Sequence, residues 1–353
     1  MKSQLTNLLK NYAMKKIILF LLFTGFFSSL SAQKVALHSP SGVQFFTGSN
    51  GFVEAVNEAT SGDTLYLPGG GFPTNSITID KQLLIFGAGH YPDSTAATST
   101  TILNGYINLS DNADSIHFEG VDILGGLSTT SNHAVNHIMI KYCRIQGELN
   151  IRGDQSNPAL NLVVTNSVVT GTVRLTNAQN AGIFNSLFNT DIYDTNGNLF
   201  KNNIFFLNNY SVSTYRYTIY GNNNTIENNI FLRIRDREIM GNSNILRNNL
   251  TPKETPFWGT TPIASDNHTG VAVETIFVNQ TGNVFDYTHN YHLQSPETYL
   301  GTDGAQVGIY GGLFPYKEGA VPSNPHIYLK NIGAETDDQG QLQIQIGVKA
   351  QTR

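Results

Sequence analysis

Cysteine and tryptophan are almost missing from this chain: Cys143 and Trp258 stand alone among 353 residues. One cysteine allows no intramolecular disulfide and no thiolate metal cluster. One tryptophan argues against a propeller, whose blades repeat aromatic signals. Charged residues make up only 13% of the chain, while glycine reaches 33 residues and asparagine recurs throughout. Low charge with many turn formers suits short strands and tight bends better than helices. The longest apolar run, Ile17 to Phe27, is interrupted by Thr24 and Gly25 and is too short to span a bilayer comfortably.

That run follows Lys2, Lys10, Lys15 and Lys16 and precedes Ser28-Ser29-Leu30-Ser31-Ala32. The charged, apolar, small-residue order is that of a secretory signal over residues 1–32, with Met14 as an alternative start. The expected location is secreted, periplasmic or cell-surface, with no membrane span after signal removal. Without the four signal lysines, 17 basic residues face 26 acidic ones, a formal balance of −9. An acidic surface repels phosphate backbones, which argues against nucleic acid as a partner.

Seven segments align without gaps from Phe118, Ile140, Val164, Ile183, Phe200, Ile226 and Leu246, at intervals of 17 to 26 residues. Such a period is one coil of a solenoid. The first column is large and apolar and points inward. The second column, with Glu119, Lys141, Lys201, Glu227 and Arg247, points outward. The third holds Gly120, Tyr142, Asn166, Asn185, Asn202, Asn228 and Asn248. Glycine and asparagine tolerate left-handed backbone, so this column is a bend, with Tyr142 as its exception. The fourth holds Val121, Cys143, Ser167, Ser186, Asn203, Asn229 and Asn249, an expected buried ladder in which each amide bonds to the next coil. The sixth returns inward with Ile123, Ile145, Val169, Phe188, Phe205 and Phe231.

A second alternating run follows each segment and places Leu149, Val173, Ile192, Ile219 and Ile239 in one buried column. Three short strands per coil predict an all-β, right-handed parallel β-helix of about 11 coils over residues 33–314. At its start, Asn50 is placed to N-cap a short helix through Ala59. Coils are expected to run on to Val307-Gly308-Ile309-Tyr310. Residues 315–353 read as a proline-containing linker and a β tail. Within it, Gln341 to Ala350 alternates as one strand, expected to pack back on the rod or else to pair with another protein.

The stretch Ser61 to Gly70, the Asn-Asn coils, and Gly301-Thr302-Asp303-Gly304 through Gly308-Ile309-Tyr310-Gly311-Gly312 resemble the pectate-lyase-like β-helix superfamily. They particularly resemble secreted β-helix repeat proteins of the Bacteroidota type, over about residues 45 to 312. The resemblance implies the fold; its members include lyases, hydrolases, adhesins and proteins without assigned activity, so it names no reaction. The Asn-Thr-Asp, Asp-Asp, Gly-His-Gly and Arg-Ile-Lys set of polygalacturonases is missing here.

The outward columns of the second run carry the binding candidates. Asn150, Arg174, Tyr193, Tyr220 and Met240 form one; Glu148, Thr172, Asp191, Thr218 and Glu238 flank it. Exposed tyrosine beside arginine and carboxylate suits a polysaccharide or another cell-surface component. Non-catalytic binding is therefore the first expectation. The alternative is a lyase or glycosidase acting on an acidic polysaccharide at the charge cluster Arg233, Arg235, Asp236, Arg237 and Glu238, with Arg233 or Arg235 and Tyr215 as candidate catalytic residues. No cofactor is expected; Ca²⁺ would enter only with a lyase, and Asp111, Asp114 and Asp122 are expected to be scattered. His90, His133, His137 and His292 read as surface or turn residues, and no metal site is expected. A third alternative is a structural or assembly protein that pairs through its C-terminal strand.

Overall fold

A computed structural model describes residues 33–130, 133–206, 217–232 and 237–349. The signal reading and the candidates Tyr215, Arg233 and Arg235 lie outside the described residues. Short strands recur in threes, as in Met139–Lys141, Arg144–Ile145 and Glu148–Asn150, followed by Val163–Thr165, Val168–Val169 and Val173–Arg174. Equivalent strands of successive coils pair in parallel and build three sheets of 12, 8 and 9 strands, the largest extended by an antiparallel hairpin. The chain is a parallel β-helix.

The seven aligned segments are in register. Phe118, Ile140, Val164, Ile183, Phe200, Ile226 and Leu246 are consecutive Cα partners along the first sheet, and all are fully buried. The sixth column stacks along the second sheet, where Phe188–Phe205 and Phe205–Phe231 ring centroids lie 5.4 and 5.0 Å apart. Leu149, Val173, Ile192, Ile219 and Ile239 stack along the third.

The bend column has left-handed backbone at every position, from φ 43° at Asn185 to φ 71° at Gly120, Tyr142 included at φ 50°. The inward ladder is also formed. Asn229 Oδ1 accepts from the Asn203 N–H and side-chain Nδ2, both at 2.9 Å. Asn249 Oδ1 accepts the same pair from Asn229 at 3.0 Å. Asn267 extends the ladder one coil further, taking the Asn249 N–H at 2.9 Å. In the other direction, Asn203 Oδ1 takes the Ser186 N–H, and Ser186 Oγ takes that of Ser167, each at 3.1 Å. Ser167 Oγ then accepts the Cys143 N–H at 3.1 Å. Each side chain thus satisfies a backbone donor that the bend has turned away from the sheet. Burial pushes the Cys143 thiol up to about 12, so it is a packed, protonated residue.

A second ladder escapes the column analysis. Asn198, Asn224 and Asn244 are buried at the turn from the third sheet into the first. Asn224 Oδ1 accepts the Asn198 N–H at 3.0 Å, and Asn244 Oδ1 accepts the Asn224 N–H at 2.9 Å. Each stands two residues before a first-column position, Phe200, Ile226 or Leu246.

Several expectations need correction. The stack holds about 9 turns rather than 11, because the last strand of the first sheet is Ile263–Ser265. The apolar residues around Val307 to Tyr310 are not a further coil. They belong to a return segment that covers the outer face of the second sheet, where Val168, Leu187, Ile204, Ile230 and Leu250 meet Ile276, Phe277, Tyr291, Leu293, Val307, Ile309 and Tyr316 in a second core. That sheet is apolar on both faces because both are buried. Nor is the bend column only a bend, since its side chains bind the same return segment, here termed the strap (residues 299–323). Asn248 donates to Leu300 O at 2.9 Å, and Asn228 Oδ1 accepts the Thr302 N–H at 2.8 Å. Asn185 donates to Ile309 O and Gly311 O at 2.8 and 2.9 Å, and Asn166 Oδ1 accepts the Lys317 N–H at 3.1 Å.

At the start, helix α1 (Gly51–Glu58) buries Phe52, Ala55 and Val56, but Asn50 makes no side-chain cap. Its backbone, at φ −93° and ψ 2°, lacks the extended form that aims a capping side chain at the first free N–H groups. Ahead of α1, a hairpin of Lys34–Ser39 and Gly42–Thr47 adds two antiparallel strands to the first sheet. The tail strand Leu342–Lys349 does not pack on the rod. It pairs antiparallel with His326–Thr336, and Tyr328, Ile332, Ile344, Ile346 and Val348 stay about half exposed.

Candidate functional site

Strand alternation turns one side of the third sheet outward, and toward the end of the stack its strands carry Gly221, Gly241 and Gly259. A Cβ on Gly221 would sit 1.9 Å from Thr195 O, and one on Gly241 would sit 1.9 Å from Gly221 O. Glycine is required there because adjacent coils touch through their backbones. A cleft of about 610 Å³ runs across these coils. One wall is aromatic and apolar, made by Tyr217, Tyr220, Phe257 and Met240; the other carries Asn196, Asn222, Asn242 and Thr260.

The tyrosines form one cluster with Tyr193. Tyr193 stacks on Tyr220 at 4.5 Å between centroids, and Tyr217 stands nearly perpendicular to Tyr220 at 5.3 Å. Tyr217 also meets Phe257 at 5.8 Å. Arg237 lies over Phe257 at 4.6 Å, while its guanidinium donates to the Tyr217 hydroxyl at 3.2 Å. Cation–ring contacts of this kind are attractive and favour this arrangement of the wall. On the opposite wall, Asn196 and Asn222 are partners across coils, and Asn222 Oδ1 accepts the Asn242 N–H at 2.8 Å. All three amides are exposed.

The sequence candidates fall into two groups. Arg174, Tyr193 and Tyr220 are half-buried at the site, and Arg174 lies between Glu148 Oε1 at 3.1 Å and Asp194 Oδ2 at 3.8 Å, with Tyr193 under its guanidinium at 5.0 Å. Three others are not open to a ligand. Glu238 is fully buried beneath residues 251–257, accepting the Phe257 N–H at 2.9 Å and facing Lys253 at 3.5 Å. Burial raises its carboxyl above the ordinary glutamate value against the pull of Lys253. Asp191 is buried and accepts from the Tyr193 hydroxyl at 3.1 Å. Asn150 is buried as well and accepts from Arg152 Nε at 2.8 Å. Their place in an outward column did not reveal the segment that covers Glu238 or the neighbouring side chains that engage Asp191 and Asn150.

Asp194, Asn196, Tyr217, Asn222, Asn242, Phe257 and Thr260 were missed. The available signal was the repeat Tyr220-Gly221-Asn222 and Met240-Gly241-Asn242 at equal offsets.

Asp111, Asp114 and Asp122 have separate partners: the first meets His133 at 2.6 Å, the second accepts the Asn136 N–H at 2.7 Å, and the third faces Gln146 at 2.9 Å. Among the described residues no three His, Cys, Asp or Glu side chains converge as a metal set. His90 corrects its surface reading. It is buried beside Tyr287, whose hydroxyl lies 3.1 Å from Nδ1, and burial, with Arg144 nearby, lowers it to about 3. No protein-family model matches the chain, and no curated protein matches it.

Proposed function

We propose that this chain is an exported, pectate-lyase-like β-helix protein that binds a glycan chain or a similar surface component on its third-sheet face, without cleaving it. The observation that carries the reading is the cleft in which an aromatic wall faces exposed amides. Sugars have apolar C–H faces and polar edges, and this cleft offers a partner for each. The signal-like N-terminus and the acidic balance of the remaining chain fit a role outside the cytoplasm.

The test is affinity electrophoresis of the purified protein against a panel of neutral and acidic polysaccharides, run beside Tyr220→Ala and Tyr217→Ala. Retardation by at least one polysaccharide, lost in both variants, is the expected result. Turnover of any member, read as unsaturated-product absorbance or new reducing ends and abolished by Arg235→Ala, would replace the binding reading with the lyase alternative.

A further inference from the structure

We infer that the ligand of this cleft is an uncharged, extended glycan lying along the stacking axis, one sugar per coil; this rests on the glycan-binding reading above. The first ground is charge. Among the described residues lining the cleft the one charged group is Asp194, which faces Arg174 at 3.8 Å. Arg174 is held in turn by Glu148 at 3.1 Å. Among the described residues, a uronate or sulfated chain would place its anions beside Asp194 and would have to draw Arg174 from Glu148 and Asp194, or Arg237 from the Phe257 ring and the Tyr217 hydroxyl, to find a cation. Taking anions from water without such a partner is unfavourable.

The second ground is spacing. Asn196, Asn222, Asn242 and Thr260 occupy one edge of the cleft on four successive coils, linked by the pairings Asn196 with Asn222 and Asn242 with Thr260 and by the Asn242 N–H bond to Asn222 Oδ1. Neighbouring coils are about 4.8 Å apart. That is close to the length of one sugar in an extended β-linked chain, so hydroxyls on successive sugars meet successive amides. The third is chemistry. A carboxamide both donates and accepts, which matches a hydroxyl, whereas anion recognition draws on arginine forks. Opposite the amides, the Tyr217, Tyr220, Phe257 and Met240 wall covers the apolar side of the same chain.

The experiment is titration calorimetry of the full protein with β-1,4-linked gluco-, manno- and xylo-oligosaccharides of two to six units, and with oligogalacturonates of equal length, at low and high salt. Neutral chains should bind, with affinity rising at least tenfold from two to four units and flat beyond, and with less than twofold change on adding salt. Asn222→Ala should weaken them about tenfold, while Asn222→Gln restores part of the loss. Salt-sensitive binding of oligogalacturonate alone, lost in Tyr220→Ala, would overturn the neutral ligand while leaving the cleft as the glycan site. Binding of neutral chains unaffected by Tyr220→Ala and Asn222→Ala would overturn both.

Discussion

Asn229 is the residue on which the coil interior turns. Its side chain takes two hydrogen bonds from Asn203 and gives two, to Phe200 O at 2.9 Å and to Asn249 Oδ1 at 3.0 Å. Asn229→Leu removes the shared acceptor of Asn203 and strands groups on both sides. Each orphaned buried group costs about 1–3 kcal/mol, so a loss of about 3 kcal/mol or more is expected in chemical unfolding. The neighbouring Asn228 needs a different expectation from the one a bend alone suggests. Glycine accepts its left-handed backbone, yet Asn228→Gly forfeits the Oδ1 bond to Thr302. It should cost about 1–2 kcal/mol, less than Asn229→Leu but more than a surface change. The ladder was legible because small polar residues recur at one offset inside an apolar frame. The strap bonds of Asn166, Asn185, Asn228 and Asn248 were not, because a side chain chosen for a bend and one chosen for a distant backbone look alike in sequence.

At the scale of elements, the second sheet carries the clearest lesson. Val168-Val169, Leu187-Phe188, Ile204-Phe205 and Ile230-Phe231 are adjacent apolar pairs, so one member of each must face away from the central core. Two apolar faces imply a cover, which here is the strap and the segment before it. Reading those later apolar residues as more coils gave the count of 11. The strap is fastened at its far end by Glu119, which accepts the Ser323 N–H and pairs with His117 at 3.2 Å and Lys141 at 3.8 Å. Burial alone would raise this carboxyl, but those partners outweigh it and hold it below its ordinary value of 4.5. A lowered folded value means that the ionised form stabilises the fold above 4.5, and that this contribution is lost as pH falls through the folded value. Amide exchange around Ser323, taken relative to the intrinsic rate at each pH, should therefore accelerate in acid. In Glu119→Gln it should be faster at neutral pH and no longer depend on that titration. An unchanged profile in the variant would show that another group fastens the strap.

For the whole molecule, the rod and the C-terminal hairpin are expected to separate energetically. His326–Thr336 and Leu342–Lys349 pair with each other and leave most of their apolar residues in solvent. Removing residues 326–353 should change the melting temperature by no more than a few degrees. Removing residues 299–353 should uncover the second core and the bend-column side chains and abolish cooperative melting. Equal damage from both truncations would place the hairpin in the stable unit.

The binding face, too, belongs to this scale, since no single coil contains it. Arg174, Tyr193 and Tyr220 were visible as an outward column, whereas the amide wall became visible only with the coils stacked. The most direct test is hydrogen–deuterium exchange of the full protein with and without a bound neutral oligosaccharide. Protection should be confined to residues 194–196, 217–222, 240–242 and 257–260. Protection on the outer face of the first sheet or in the C-terminal hairpin, with none at these positions, would contradict the assignment of the cleft.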